Sequence, residues 1–174
     1  MEARAQPPRL ARPRVPTAYR VSKKRYPVYD AIGAVLTGGR WTSQGVAVIY
    51  VAEHYATAIL EQLVHAGRLA LPGMHHAAEI LIPDDLAIEE FDPGAHSGWD
   101  LEGSSVSRGF GDSWVATART AVLSVPSVPG QPVERNFVIN PAHPEAGRIR
   151  PQRAFDVVWD GRLFGPPAGT VRNR

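Results

Sequence analysis

Cysteine is absent from the 174 residues, so the fold carries no disulfide and no thiolate-bound metal. No apolar run approaches the ~20 residues that cross a bilayer. The N-terminal arginines are followed by no apolar segment of the kind a secretory signal needs. These absences lead to the expectation of a soluble, cytoplasmic protein. Lysine is scarce, since 17 of the 19 basic residues are arginine. Between Arg68 and Arg108 both cations are missing, while Glu79, Asp84, Asp85, Glu89, Glu90, Asp92, Asp100 and Glu102 all lie there. Common catalytic signatures are missing too: there is no GxSxG elbow, no P-loop and no GxGxxG. His54 and His65 are eleven apart and His75 and His76 adjacent, with no HExxH or EF-hand pattern, so no metal site is expected.

What is present is a chain long enough for one domain with its own core. The net charge is only +2 but is unevenly distributed, because residues 1–25 hold six arginines and two lysines against Glu2. Residues 1–16 are rich in Pro, Arg and Ala without periodicity, and read as a poorly ordered basic arm. Such an arm is either a solvated tail or a contact to nucleic acid. The folded domain is expected over 17–166, followed by a Gly/Pro-rich tail over 167–174.

The organising stretch runs from Thr37 to Gly67. A glycine-punctuated loop, Gly38-Gly39-Arg40-Trp41, closes at Gly45. Val46 to Ala52 is a β-branched apolar run that reads as a buried strand. Ala56, Ile59, Leu60, Leu63 and Val64 then recur at helical spacing, with Gly67 as a C-terminal cap. Further strands are expected at 17–22, 76–82, 86–91, 121–125, 135–140 and 154–159. Asp92 to Gly111 reads as a long Gly/Ser-rich loop, with Asp112 or Ser113 capping a short helix over 114–119. Many short strands, few helices and no regular βαβ alternation indicate an α+β fold.

Arg40, Tyr50 and Glu61 fall on three consecutive elements that must pack together. Arg20, in the first strand, needs solvent or an anion. Two converging arginines suit a pyrophosphate, since a guanidinium pairs bidentately with phosphate oxygens, although surface or salt-bridged arginines give the same pattern. Tyr50 either packs in the core or stacks on a flat heterocycle. Glu61 lies about 60° from Val64 on a helical wheel, at the border of the apolar stripe. There it is a surface acid, a partner of His65, or a carboxylate facing a cleft. Ser127 stands after Pro126 without an evident general base.

Together these residues resemble the RES domain, named for its Arg, Glu and Ser. The matching pieces begin with Tyr19-Arg20, Gly38-Gly39-Arg40-Trp41, Val48-Ile49-Tyr50 and Ala58-Ile59-Leu60-Glu61 with His65. They continue with Gly111-Asp112-Ser113-Trp114, Val125-Pro126-Ser127-Val128, Asn136 and Ile139-Asn140-Pro141-Ala142-His143-Pro144, all in order over roughly residues 18–164. Thr42 departs from the Asn that the family commonly carries after Gly-Gly-Arg-Trp.

The resemblance implies a single RES domain with a fold like that of ADP-ribosyltransferases, built of short antiparallel strands and a few helices. It implies a toxin of a type II toxin–antitoxin system that consumes NAD as a substrate rather than a cofactor. The nicotinamide–ribose bond would be cut by phosphorolysis, with inorganic phosphate as co-substrate, or by hydrolysis. Protein mono-ADP-ribosylation is the alternative, and non-enzymatic nucleic-acid binding through the basic arm the second. Glu61 would stabilise the oxocarbenium-like sugar, Arg20 and Arg40 hold the pyrophosphate, Tyr50 pack on nicotinamide or ribose, and Ser127 position the ribose. An Xre-type helix-turn-helix antitoxin would cover the site and supply any contact with nucleic acid, with a homodimer inside a larger toxin–antitoxin complex as a further expectation. The acidic 79–102 stretch either contacts that antitoxin or is solvated.

Overall fold

The computed structural model describes residues 17–66, 74–103 and 105–164. In chain order the elements are β1 (Thr17–Lys23), α1 (Ile32–Thr37), β2 (Ile49–Ala52), α2 (Tyr55–Ala66), β3 (His75–Leu81) and β4 (Ile88–Glu90). They continue with α3 (Ser105–Thr117), β5 (Val122–Pro126), β6 (Arg135–Ile139), β7 (Arg150–Pro151) and β8 (Phe155–Asp156). The strands form one sheet in the order β4-β5-β6-β2-β1-β3-β7, with β8 also on β3. Every pairing is antiparallel except that of β4 with β5. The expected α+β class is the one observed.

Two halves of this sheet are tightly laddered. β1 runs along β3 from Thr17 opposite Leu81 to Lys23 opposite His75. β2 runs along β6 from Ile49 opposite Ile139 to Ala52 opposite Asn136. Between the halves, β1 and β2 share one register pair, Tyr19 opposite Ala52. The period-two alternation of strand side chains divides the core between the two faces. Ile49, Val51, Ile80, Val122 and Ile139 pack on one face. Val48, Leu123, Val125 and Val138 face the other, against Trp41, Phe91, Trp99 and Trp114. β5 is therefore buried on both sides from Val122 to Val125, with Ser124 the one polar residue of that run.

Several expectations are corrected. The run starting at Val46 enters the sheet only at Ile49, although Val48 is buried in the core. A helix occupies 32–37 despite Gly33, because that glycine lies in open space and costs only local backbone entropy. The long loop ends earlier than predicted: α3 already begins at Ser105, so Asp112 and Ser113 lie inside it and cap nothing. The expected strand over 154–159 shrinks to Phe155–Asp156. On α2, Val64 (59% exposed) and Leu60 (37%) are not core, whereas Thr57 and Ala58 are buried. Residues 1–16, the Gly67 cap, most of the 69–75 connection and the 167–174 tail lie outside the described residues.

Gly111 shows why glycine enters the middle of α3. The helix crosses the 38–45 loop there, and a Cβ on Gly111 would collide with the carbonyl oxygen of Trp41. The mislocated loop boundary follows from reading Gly109 and Gly111 as breakers when one of them is a packing requirement. Gly111→Ala should lower stability by about 1–3 kcal/mol or more, as overpacking against backbone does. Gly109→Ala, on the same helix with nothing within 4 Å of its new Cβ, should be neutral or slightly stabilising. Equal effects of both substitutions in urea melts would refute this account of the crossing.

Candidate active site

The seam between β1 and β2 opens into a cleft of about 1090 Å³, bordered by Arg20–Lys23 on one strand and Tyr50–Ala52 on the other. Arg20 carries the join beyond the single register pair. Its Nη1 donates to the Tyr50 carbonyl at 2.5 Å, its Nε to Val28 at 2.9 Å and its Nη2 to Asp30 at 3.3 Å. One side chain thus replaces the missing ladder bond and pins the 28–30 segment. A guanidinium has five N–H donors, so one on each terminal nitrogen remains for a ligand. Burial lowers the Arg20 pKa below the usual arginine value, partly offset by Asp30, and the group stays charged at neutral pH.

Tyr50 closes the floor of the cleft. Its hydroxyl meets Thr42 Oγ1 at 2.9 Å. Gly39 allows the loop to lie this close, since a Cβ there would come within 2.5 Å of the phenol oxygen. Thr42, the departure from the family pattern, is fully buried and supplies this bond. Arg40 also borders the cleft, and its Nη1 donates to the carbonyls of Leu101 (3.0 Å) and Trp99 (3.4 Å), tying the acidic 92–103 loop to the site. Asp112 fastens the same region from α3, accepting from the Ser43 amide at 2.8 Å and the Ser43 hydroxyl at 2.6 Å.

Glu61 faces the cleft from α2. Its Oε1 accepts from Ser127 Oγ at 2.8 Å and from Asn136 Nδ2 at 2.6 Å, so the carboxylate is fixed by two donors from the β5–β6 region. Hydrogen bonds to charged groups contribute about 1.5–3 kcal/mol each. Among the described residues Oε2 has no hydrogen-bond partner. His65 bonds the Glu61 backbone carbonyl at 2.7 Å, not its carboxylate. Ser127 is fully buried, so its hydroxyl reaches the site through Glu61. One helical turn before Glu61, buried Thr57 donates to Glu134 Oε2, which also meets His54 Nδ1 at 2.9 Å. These bonds, Thr57's first, lower the Glu134 pKa. Side chains four apart on α2 therefore grip both ends of the 127–134 connection.

The electrostatics of the cleft are lopsided. Arg20, Lys23, Arg25, Arg40 and Arg108 line it, against the carboxylates of Asp30 and Glu61. That excess suits an anionic ligand. The predicted residues Arg20, Arg40, Tyr50 and Glu61 are brought to one cleft, with Ser127 directly behind Glu61. Sequence reasoning gave no place in the site to Asn136, which appeared only within a matching motif, to Asp112, expected as a helix cap, or to Thr42, noted as a departure from the family pattern. Elsewhere in the acidic stretch, Asp85 is bridged to Arg148 and Glu89 to Arg119. Among the described residues no cluster of His, Asp and Glu could hold a metal, and no helix is long and apolar enough to cross a membrane.

The fold and site define a small α+β domain whose half-sheets part around a cationic cleft holding one fixed carboxylate. Residues 17–160 match the RES domain, and the chain belongs to that family. It is 42% identical over 136 residues to the Prs ADP-ribosylating toxin of Sphingobium sp. strain YBL2, covering 76% of this chain and 84% of that protein. Toxin Res of Photorhabdus laumondii is 32% identical over 150 residues, covering 83% and 95%. Among solved structures, the M. tuberculosis MbcT–MbcA toxin–antitoxin complex contains a chain that superposes with a TM-score of 0.68 at 18% identity, over 81% of this chain and 83% of that one. At that identity the likeness is one of fold.

Two outcomes follow from this geometry. Arg20→Lys keeps the charge but loses the fork that reaches three carbonyls, and should cost about 2–4 kcal/mol in urea unfolding. An unchanged midpoint would mean that the seam does not depend on the guanidinium. Burial raises the Tyr50 pKa above its ordinary 10.0. A group whose folded pKa is raised contributes stability below its unfolded pKa and loses it as pH rises through the folded one. Melting temperature should therefore fall above about pH 10, and less steeply in Tyr50→Phe, with Tyr29 and Tyr55, also raised by burial, accounting for the remainder.

Proposed function

We propose that this chain is the toxin of a toxin–antitoxin pair, and that it consumes NAD by breaking the nicotinamide–ribose bond. The observation that carries this reading is Glu61, its Oε1 held by Ser127 and Asn136, in a cleft lined by cations. When the C–N bond breaks, nicotinamide leaves as a neutral molecule with the bonding electron pair. Positive charge then spreads over C1 and the ring oxygen of the ribose, as in glycosidic cleavage. A carboxylate already oriented by two donors stabilises that charge without reorganising, which is where an electrostatic contribution to rate is largest. The remaining donors of Arg20 and Arg40 pair with the pyrophosphate. Tyr50 packs against the nicotinamide or ribose, and Ser127 orients Glu61 from behind.

Inorganic phosphate attacking C1 yields ADP-ribose phosphate, and water yields ADP-ribose. A second reading, transfer of ADP-ribose to a protein side chain, uses the same cleavage and differs only in the acceptor. It is favoured by the 42% identity to a relative named as an ADP-ribosylating toxin. An antitoxin that covers the cleft fits the exposed apolar side chains Ile32, Leu36 and Val64 at its border. The fold shared with a chain of a toxin–antitoxin complex supports such a partner. The Xre-type helix-turn-helix class of that partner belongs to the same proposal.

The test is purified protein with NAD, with and without phosphate and a candidate acceptor protein, followed by mass spectrometry. Phosphate-dependent ADP-ribose phosphate makes it a phosphorylase, phosphate-independent ADP-ribose a glycohydrolase, and mass added to a protein an ADP-ribosyltransferase. Glu61→Gln should reduce turnover by at least about a hundredfold, the scale of losing one oriented electrostatic group, while still binding NAD. Full turnover by that variant would remove Glu61 from the mechanism.

A further inference from the structure

Thr57 and Glu61 lie one turn apart on α2, and each reaches a different end of the same connection. Glu61 Oε1 accepts from Ser127 Oγ at 2.8 Å, at the start of the 127–134 segment. Glu134, at its end, accepts at Oε2 from Thr57 Oγ1 and meets His54 Nδ1 at 2.9 Å. The two ends are themselves joined, because the Ser127 amide donates to the Glu134 carbonyl at 2.9 Å. The contacts therefore close a ring: Glu61 to Ser127, Ser127 to Glu134, Glu134 to Thr57, and Thr57 back to Glu61 along the helix. Gly130 lets the connection fold this tightly, since a Cβ there would lie 2.4 Å from Glu134 Cβ and 3.2 Å from Ser127 Oγ. Thr57 and Ser127 are both buried, so water does not compete for either hydroxyl.

We propose that Thr57 and Glu134 are positioning residues for the reaction, setting the orientation of Glu61 through Ser127. This rests on the NAD reading above, in which Glu61 faces the bond that breaks. A carboxylate held at Oε1 by Ser127 and Asn136 is only as well placed as those two donors are. Asn136 is carried by β6, paired on both sides within the sheet. Ser127 stands just past the end of β5, on a connection outside that ladder, so its place needs a further tie. The bond from Thr57 to Glu134 supplies it, from the same helix that carries Glu61. Any shift of the connection along α2 would have to break that bond. A charged acceptor makes it stronger than a bond between neutral groups, which accounts for a carboxylate at position 134. Neither residue borders the cleft, so both act through the groups they hold.

The experiment measures NAD turnover by wild type, Thr57→Val and Thr57→Ser, alone and combined with Ser127→Ala, and hydrogen exchange of the Ser127 amide by NMR. Valine keeps the buried volume and removes the hydroxyl, whereas serine keeps the hydroxyl. Thr57→Val should lower kcat about ten- to a hundredfold with KM unchanged, the scale of a small misplacement of a reacting group. Thr57→Ser should retain most of the activity. In the Ser127→Ala background Thr57→Val should add no further loss, because the link it secures is already gone. The Ser127 amide should exchange faster in Thr57→Val than in wild type. Unchanged kcat, unchanged exchange, or a loss as large without the Ser127 hydroxyl as with it would each overturn the proposal. Glu134→Ala replaces Thr57→Val if the latter lacks a cooperative thermal transition. Failure of the NAD reading looks different: wild type would leave NAD intact while the Ser127 amide still responded to Thr57→Val, and the catalytic role of the clamp would fall.

Discussion

β1 is zipped to β3 along its whole length and β2 to β6, but among the described residues the two halves of the sheet share a single register pair, Tyr19 with Ala52. An unpaired strand edge inside a domain leaves backbone groups without partners, and such groups are costly when buried. Arg20 resolves that here by reaching across with a planar array of donors to Tyr50, Val28 and Asp30. A shorter or singly pointed cation could not cover three carbonyls in different directions. The opening of the sheet and the placing of a positive charge within it are therefore one event. The cleft exists because the strands part, and its chemistry begins with the residue that lets them do so.

Around that opening each functional group is held from a different part of the chain. α2 lies along the seam and presents Thr57 and Glu61 on one face. The first secures the 127–134 connection through Glu134, and the second meets Ser127 and Asn136. On the opposite side the 38–45 loop brings Arg40 and Thr42 beside Tyr50, pressed into place by α3 through Asp112 and the glycine at 111. Because the anchoring bonds of Thr57, Glu61 and Asp112 reach partners 66 to 77 residues away in sequence, the site forms only when the domain does. That is preorganisation in a concrete sense: the carboxylate has its donors before any ligand arrives.

Strands were legible where side-chain alternation and proline punctuation agreed, as at Thr17–Lys23, His75–Leu81, Val122–Pro126 and Arg135–Ile139. α2 was legible by its period, although its apolar stripe was misjudged, because Val64 borders an open cleft and not the core. α3 was misplaced because glycine has two meanings. It loosens a chain, and it also permits backbone to approach backbone, and only the packing partner distinguishes them. The order of motifs identified the RES pattern and put Arg20, Arg40, Tyr50, Glu61 and Ser127 in view. Composition and periodicity gave no reason to join Asn136 to Glu61, since the two are 75 residues apart.

By itself the sequence determined the class of fold, the family, and the kinds of chemical group available, because these depend on local pattern and on residues recurring in a fixed order. Tertiary structure decided what those groups do to one another. It made Arg20 a bridge across a parted sheet, set Ser127 behind Glu61, and left Asn136 with one buried oxygen unpaired among the described residues. Hydrogen-bond partnership over distances of 60 to 80 residues depends on strand register and helix rotation. Those are fixed by how the whole core packs, and no single stretch of the chain contains them.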